Sequence, residues 1–143
     1  MDDPAGPRIF SPAFSRETEM KAETLLAALV LFQLKHLIAD FALQTPAMIR
    51  AKGKYGHPGG LLHAAIHVLA SAPILAWIGV APLLLLGLLA AEFVLHYHID
   101  WGKERLGRAA SLAPDRRLFW LAFGADQALH QLTYIGILWV III

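Results

Sequence analysis

Four apolar stretches of this chain each hold two ionisable residues four positions apart: His36 and Asp40, His63 and His67, His96 and Asp100, Asp126 and His130. The stretches run from about Thr24 to Gln44, Leu61 to Ile78, Pro82 to Trp101 and Leu118 to Ile143. Each is roughly 18 to 26 residues, the length a helix needs to cross a hydrocarbon core. An i, i+4 spacing stacks both side chains of a pair on one helix face, a turn apart. Ionisable groups are expensive in lipid, so such faces must turn toward one another. The expected fold is an all-α membrane protein, an antiparallel bundle of four transmembrane helices with the pairs inside.

Composition supports a lipid environment. The 143 residues are 57% hydrophobic and only 16% charged, more apolar surface than a soluble domain of this size can bury. With a net charge of +1, nothing points to nucleic acid. The chain has no cysteine, which removes disulfides, thiolate zinc sites and cysteine nucleophiles together. Any metal must therefore use His, Asp, Glu or backbone.

Residues 1–22 read as a polar N-terminal arm and 23–143 as the transmembrane domain. The start does not look like a cleaved signal, because the first apolar run contains Lys35, His36 and Asp40. AKGKYGHPGG reads as a loop, a short turn with Gly79 and Pro82 joins the second and third segments, and the basic GKERLGRAASLAPDRR precedes the fourth. Pro73 falls inside the second helix, where neighbouring helices can satisfy the freed carbonyl. The first and third loops carry Arg50, Lys52, Lys54, Lys103, Arg105, Arg108, Arg116 and Arg117, against Arg8, Arg16 and Lys21 before the first helix. The positive-inside rule then makes the loops cytoplasmic and both termini external. Trp77, Trp101, Trp120 and Trp139 sit near helix ends, as an aromatic belt would.

Depth sharpens the argument. At about 1.5 Å per residue, all eight paired residues lie within roughly 3 to 18 Å of the cytoplasmic helix ends. Antiparallel helices bring them to one level, whereas independent placement would scatter them between leaflets. The set His36, Asp40, His63, His67, His96, Asp100, Asp126 and His130 is thus a candidate ligand set for a divalent metal. Carboxylate/His sets do this in the core of helical bundles. Imidazole and carboxylate suit zinc, iron or manganese alike. Glu92, one turn before His96, is a further ligand or a catalytic base, and Gln44 extends the His36/Asp40 face. The competing reading is a purely structural His–Asp hydrogen-bond network without metal. Haem fits less well, since stacked haems need His at two depths and a single haem leaves most of the set unexplained.

The remaining polar residues read more plainly. His98 lies about 200° around the helix from His96 and belongs at headgroup level. His57 is a solvated loop residue. Lys35 points about 100° away from His36, and either snorkels or meets an acid.

HLIADFALQ, HAAIH, the H-x-x-x-D of HYHID followed by WGKERL, and DQALH together resemble the bacterial inner-membrane family known as domain of unknown function 3307, in order from about Met20 to Ile143. The resemblance implies a four-helix membrane protein and an extension over residues 1–19, but no activity. A weaker similarity is to membrane-bound metal-dependent hydrolases. Two functions are consistent with this pattern. One is a metal-dependent hydrolase of a lipid or phosphoester at the cytoplasmic membrane surface, with the basic loops collecting an anionic substrate. The other is a non-catalytic accessory subunit of a larger membrane complex, respiratory or photosynthetic, with a structural metal or a His–Asp network.

Overall fold

A computed structural model describes residues 12–143, with side chains from Ala22 onward. Residues 1–11 of the expected polar arm lie outside the described residues. The regular structure of the described residues is all-helical: α1 Pro12–Ile38, a π-helical turn Ala39–Leu43, α2 Pro46–Lys52, α3 Pro58–Trp77, α4 Pro82–Ala109 and α5 Arg117–Ile142. There is no strand among the described residues. Proline sets three of the starts, at Pro46, Pro58 and Pro82, where its missing N–H costs nothing. The Thr45 side chain accepts a hydrogen bond from the Met48 N–H, 3.3 Å, to cap α2. His57 Nδ1 accepts from the Gly59 N–H at 3.1 Å and caps α3; the residue expected to be an idle loop histidine holds a helix start.

Two boundaries differ from the sequence expectation. α4 runs past Trp101 to Ala109, because GKERLGRA is rich in helix formers and Arg108 pairs with Glu104 one turn back at 3.0 Å. The segment after Gln44 is a short helix before it becomes a loop, and α2 buries Met48, Ala51 and Lys52. The loop then turns at Gly56, whose φ of +71° favours glycine. The Gly56 N–H donates to the Tyr97 hydroxyl at 2.6 Å, which ties the loop to α4.

The four long helices pack as a ring in the order α1, α3, α4, α5, back to α1. Their buried residues fall in successive turns. One level holds Asp40, His63, Asp100 and Asp126, and the next holds His36, His67, His96 and His130. Below these come Lys35, Ser71, Glu92 and Tyr134, then an apolar floor of Ala28, Phe32, Ile74, Leu75, Leu88, Ile137 and Leu138. Residue numbers fall along α1 and α4 as they rise along α3 and α5, so neighbours in the ring are antiparallel. The outside is apolar: Leu26, Val30, Leu69, Leu83, Leu86, Leu132 and Trp139 are all exposed.

Three stretches, Ala22–Leu43, Pro58–Trp77 and Pro82–Ala109, are long and apolar enough to cross a membrane. α5 has 26 residues, but Asp126, Gln127, His130 and Gln131 dilute its apolar character. The described residues thus support a membrane protein with three such helices.

Candidate metal centre

The four long helices bring five imidazoles into one group: His36 from α1, His63 and His67 from α3, His96 from α4 and His130 from α5. Ring centroids are 3.8 Å apart for His67 and His96, 4.3 Å for His96 and His130, 4.6 Å for His63 and His67, and 4.9 Å for His36 and His130. All five rings are buried. Carboxylates meet them from the α2 side. Asp40 Oδ1 lies 3.1 Å from His63 Nε2 and 3.3 Å from His67 Nε2, while its Oδ2 lies 3.1 Å from His36 Nε2. Asp100 Oδ2 lies 3.3 Å from His63 Nε2 and 3.4 Å from His96 Nε2. Asp40 is placed by the π turn, a widened turn of a kind often found at functional sites.

Donor atoms from Asp40, His63, His67 and His96 all come within 4.8 Å of one another, as do those from His96, Asp100 and His130. His96 belongs to both sets. Four ligands about 2.0–2.1 Å from a tetrahedral ion stand roughly 3.3–3.4 Å from each other. The 3.1 and 3.3 Å separations around Asp40 Oδ1 match the edges of such a polyhedron. Their lengths would also allow hydrogen bonds, but Asp40 Oδ1 makes none that is aligned among the described residues. His36 Nε2, Asp40 Oδ1, both ring nitrogens of His67 and of His96, Glu92 Oε2, Asp126 Oδ1 and His130 Nε2 are buried, and none has a hydrogen-bond partner. Native interiors leave few such atoms unsatisfied, and here they share one column of side chains. The donor set fits a divalent ion.

The outer contacts also suit ligation. His130 Nδ1 donates to the Asp126 carbonyl at 2.8 Å, so the neutral ring keeps its lone pair on the unpartnered Nε2. His36 Nδ1 shares a 2.9 Å hydrogen bond with the Tyr134 hydroxyl. Gln44 Nε2 lies 3.2 Å from both ring nitrogens of His63, so the face-extending glutamine does reach a cluster histidine.

Of the eight residues singled out from spacing, six fall in the two convergent sets. His36 and Asp126 stand beside them in neither set. Asp126 Oδ1 is 3.9 Å from His130 Nδ1, and its Oδ2 accepts from Gln127 Nε2 at 3.2 Å. Glu92 is fully buried, and its Oε1 accepts from Lys35 Nζ at 2.6 Å and from Ser71 Oγ at 2.8 Å. Of its two expected fates, Lys35 takes the acid: it does not snorkel, and its Nζ also donates to the His67 carbonyl at 3.1 Å. His98 is exposed and meets the Tyr55 hydroxyl at 3.2 Å, clear of the cluster.

Three members of the column escaped the reading of spacings: Lys52, Ser71 and Tyr134. Ser71 and Tyr134 stand four residues beyond His67 and His130, so extending each pair by one turn finds them. Lys52 had no such signal. The α2 turn carries it inward until its Nζ lies 2.9 Å from Asp100 Oδ2.

The family model described as "Protein of unknown function (DUF3307)" matches residues 28–143. The chain belongs to the DUF3307 family. The match spans the whole column, from the Phe32 floor to the π turn, α2 and Tyr134. No curated protein and no solved structure matches the chain. For this DUF3307 chain, function has to be argued from the site.

Proposed function

We propose that the chain is a multi-pass protein of the bacterial inner membrane in which α5 is the fourth span. On this reading a divalent ion of zinc, iron or manganese is held between the helices near the cytoplasmic face. The observation that carries the reading is the convergence of Asp40, His63, His67 and His96, with Asp40 Oδ1 and the ring nitrogens of His67 and His96 buried and without a hydrogen-bond partner among the described residues. Support for the fourth span comes from the outer face of α5, where Leu118, Leu121, Leu132, Ile135, Trp139 and Ile142 are exposed. A continuous apolar face of this kind belongs in lipid or against a partner. Residues 23–143 are then one transmembrane domain, and the count of basic residues puts Lys52, Lys54 and the α4–α5 connection in the cytoplasm.

The chemistry such a site suits is hydrolysis of a lipid or phosphoester at the cytoplasmic surface. An ion there would lower the pKa of a water and polarise a phosphoryl or carbonyl oxygen. Asp126 stands outside both ligand sets with a buried Oδ1 that has no partner among the described residues, and would serve as the base that takes the water's proton. Glu92, the base favoured by spacing, keeps only Oε2 free and lies a turn deeper. Asp40, with 13% of its side chain exposed, marks the open end of the column, and Lys103 and Arg108 lie on the same side to attract an anionic headgroup.

The test is elemental analysis of protein purified without a His tag, followed by phosphoester and phospholipid hydrolysis assays before and after chelation. Bound metal with chelator-sensitive turnover is the expected result. Protein free of metal that stays so on exposure to zinc, iron and manganese overturns the reading. Metal without turnover, in a preparation carrying stoichiometric partner chains, replaces the hydrolase with the accessory subunit.

A further inference from the structure

The two ligand sets invite a dinuclear centre, and the buried charges argue against one. Four carboxylates face the column: Asp40, Glu92, Asp100 and Asp126. Two ammonium groups are buried among them. Lys35 Nζ lies 2.6 Å from Glu92 Oε1, with side-chain exposures of 7% and 0%, and Lys52 Nζ lies 2.9 Å from Asp100 Oδ2, with 9% and 8%. Lys103, the next cation outward, has 28% of its side chain exposed and lies outside the buried core, 3.9 Å from Glu104. With neutral imidazoles, the core carries two negative charges beyond what its lysines compensate. Uncompensated charge in a medium that water cannot reach is expensive, so such groups are paired or coordinated. One divalent ion closes the balance. Two would reverse it, leaving the core as positive as it had been negative.

Position says the same as charge. Asp100 is the one carboxylate in the His96/Asp100/His130 set, and its Oδ2 is the atom that Lys52 occupies. No lysine touches Asp40 Oδ1 in the other set. Resting on the metal reading above, we propose that the core takes a single divalent ion, at Asp40, His63, His67 and His96, and that the Lys52 ammonium stands as a built-in cation where a second ion would bind.

The experiment is metal stoichiometry after equilibrium dialysis of the full chain in nanodiscs against zinc, read by elemental analysis. Wild type is expected to bind one ion per chain, Lys52→Arg one, and Lys52→Met two. Two ions on wild type overturn the proposal while leaving a metal protein. One ion on well-folded Lys52→Met removes Lys52 from the role assigned to it. Should Lys52→Met fail to fold, the double variant Lys52→Met/Asp100→Asn, which removes the pair together, is expected to return one ion. Two ions on that double variant would equally overturn the proposal. Zero ions on wild type fells the metal reading itself, and the proposal with it.

Discussion

His67 Nε2 stands 3.3 Å from Asp40 Oδ1 where the π turn meets α3, and neither atom is hydrogen-bonded. A structural network would have aligned this contact, because an aligned hydrogen bond to a charged group adds roughly 1.5–3 kcal/mol. The misalignment separates two readings of His67→Ala. For an ion held by four ligands, zinc raises the wild-type melting temperature by mass action, and the variant loses that increment while its apo form melts close to wild type. For a metal-free network, zinc moves neither protein, and the variant melts lower by the equivalent of about 1–3 kcal/mol. The measurement is a melting curve in nanodiscs with and without zinc.

Metal occupancy is expected to fall as the medium is acidified into the range where protons take the imidazole lone pairs from the ion. Protons and metal compete for the same lone pairs, so the stabilisation by metal is present above that range and lost below it. Bound zinc measured after dialysis between pH 8 and pH 5 checks the sign. Constant occupancy would count against imidazole ligands.

The Lys35–Glu92 pair predicts strong coupling. Lys35→Met strands a fully buried carboxylate, and breaking one side of a buried pair typically costs about 3–5 kcal/mol. Lys35→Met/Glu92→Gln removes both charges and is expected to recover most of that loss. Denaturation of the four proteins of this cycle gives the coupling. Additive effects would mean the pair is not buried as described.

The extent to which the sequence predicted this core follows from how each residue is placed. His36, His63, His67, His96, Asp100, Asp126 and His130 lie on regular helices, where a spacing of four fixes a shared face, so their meeting could be read from positions alone. Glu92 was found on the right face, but its engagement by Lys35 depends on how α1 and α4 pack. A lysine beside His36 gave no hint of which neighbour it would meet. Lys52 was further from view, because its inward aim depends on the Thr45 cap and the seven-residue α2. The π turn that positions Asp40 leaves no mark in the hydrophobic period either. The early end assigned to α4 came from reading the basic GKERLGRAASLAPDRR as a connection, when the pairing of Glu104 with Arg108 carries the helix onward.

Membrane topology can be read chemically because the natural chain has no cysteine. Single-cysteine variants at Ser11 and Ser111 are expected to label from opposite sides of sealed cells, Ser11 from outside and Ser111 only after permeabilisation. Equal accessibility of the two would overturn the proposed topology, in which α1, α3 and α4 cross the membrane between them.

The polar column ends on Phe32, Leu75, Leu88, Ile137 and Leu138, all buried and packed together from the level of Glu92 toward the α3–α4 turn. Side chains packed to interior density leave no line of waters past that floor. On the proposed reading, an ion that entered beside Asp40 would leave by the same mouth, and its residence would follow the free-ion activity of a single aqueous compartment instead of the gradient across the bilayer.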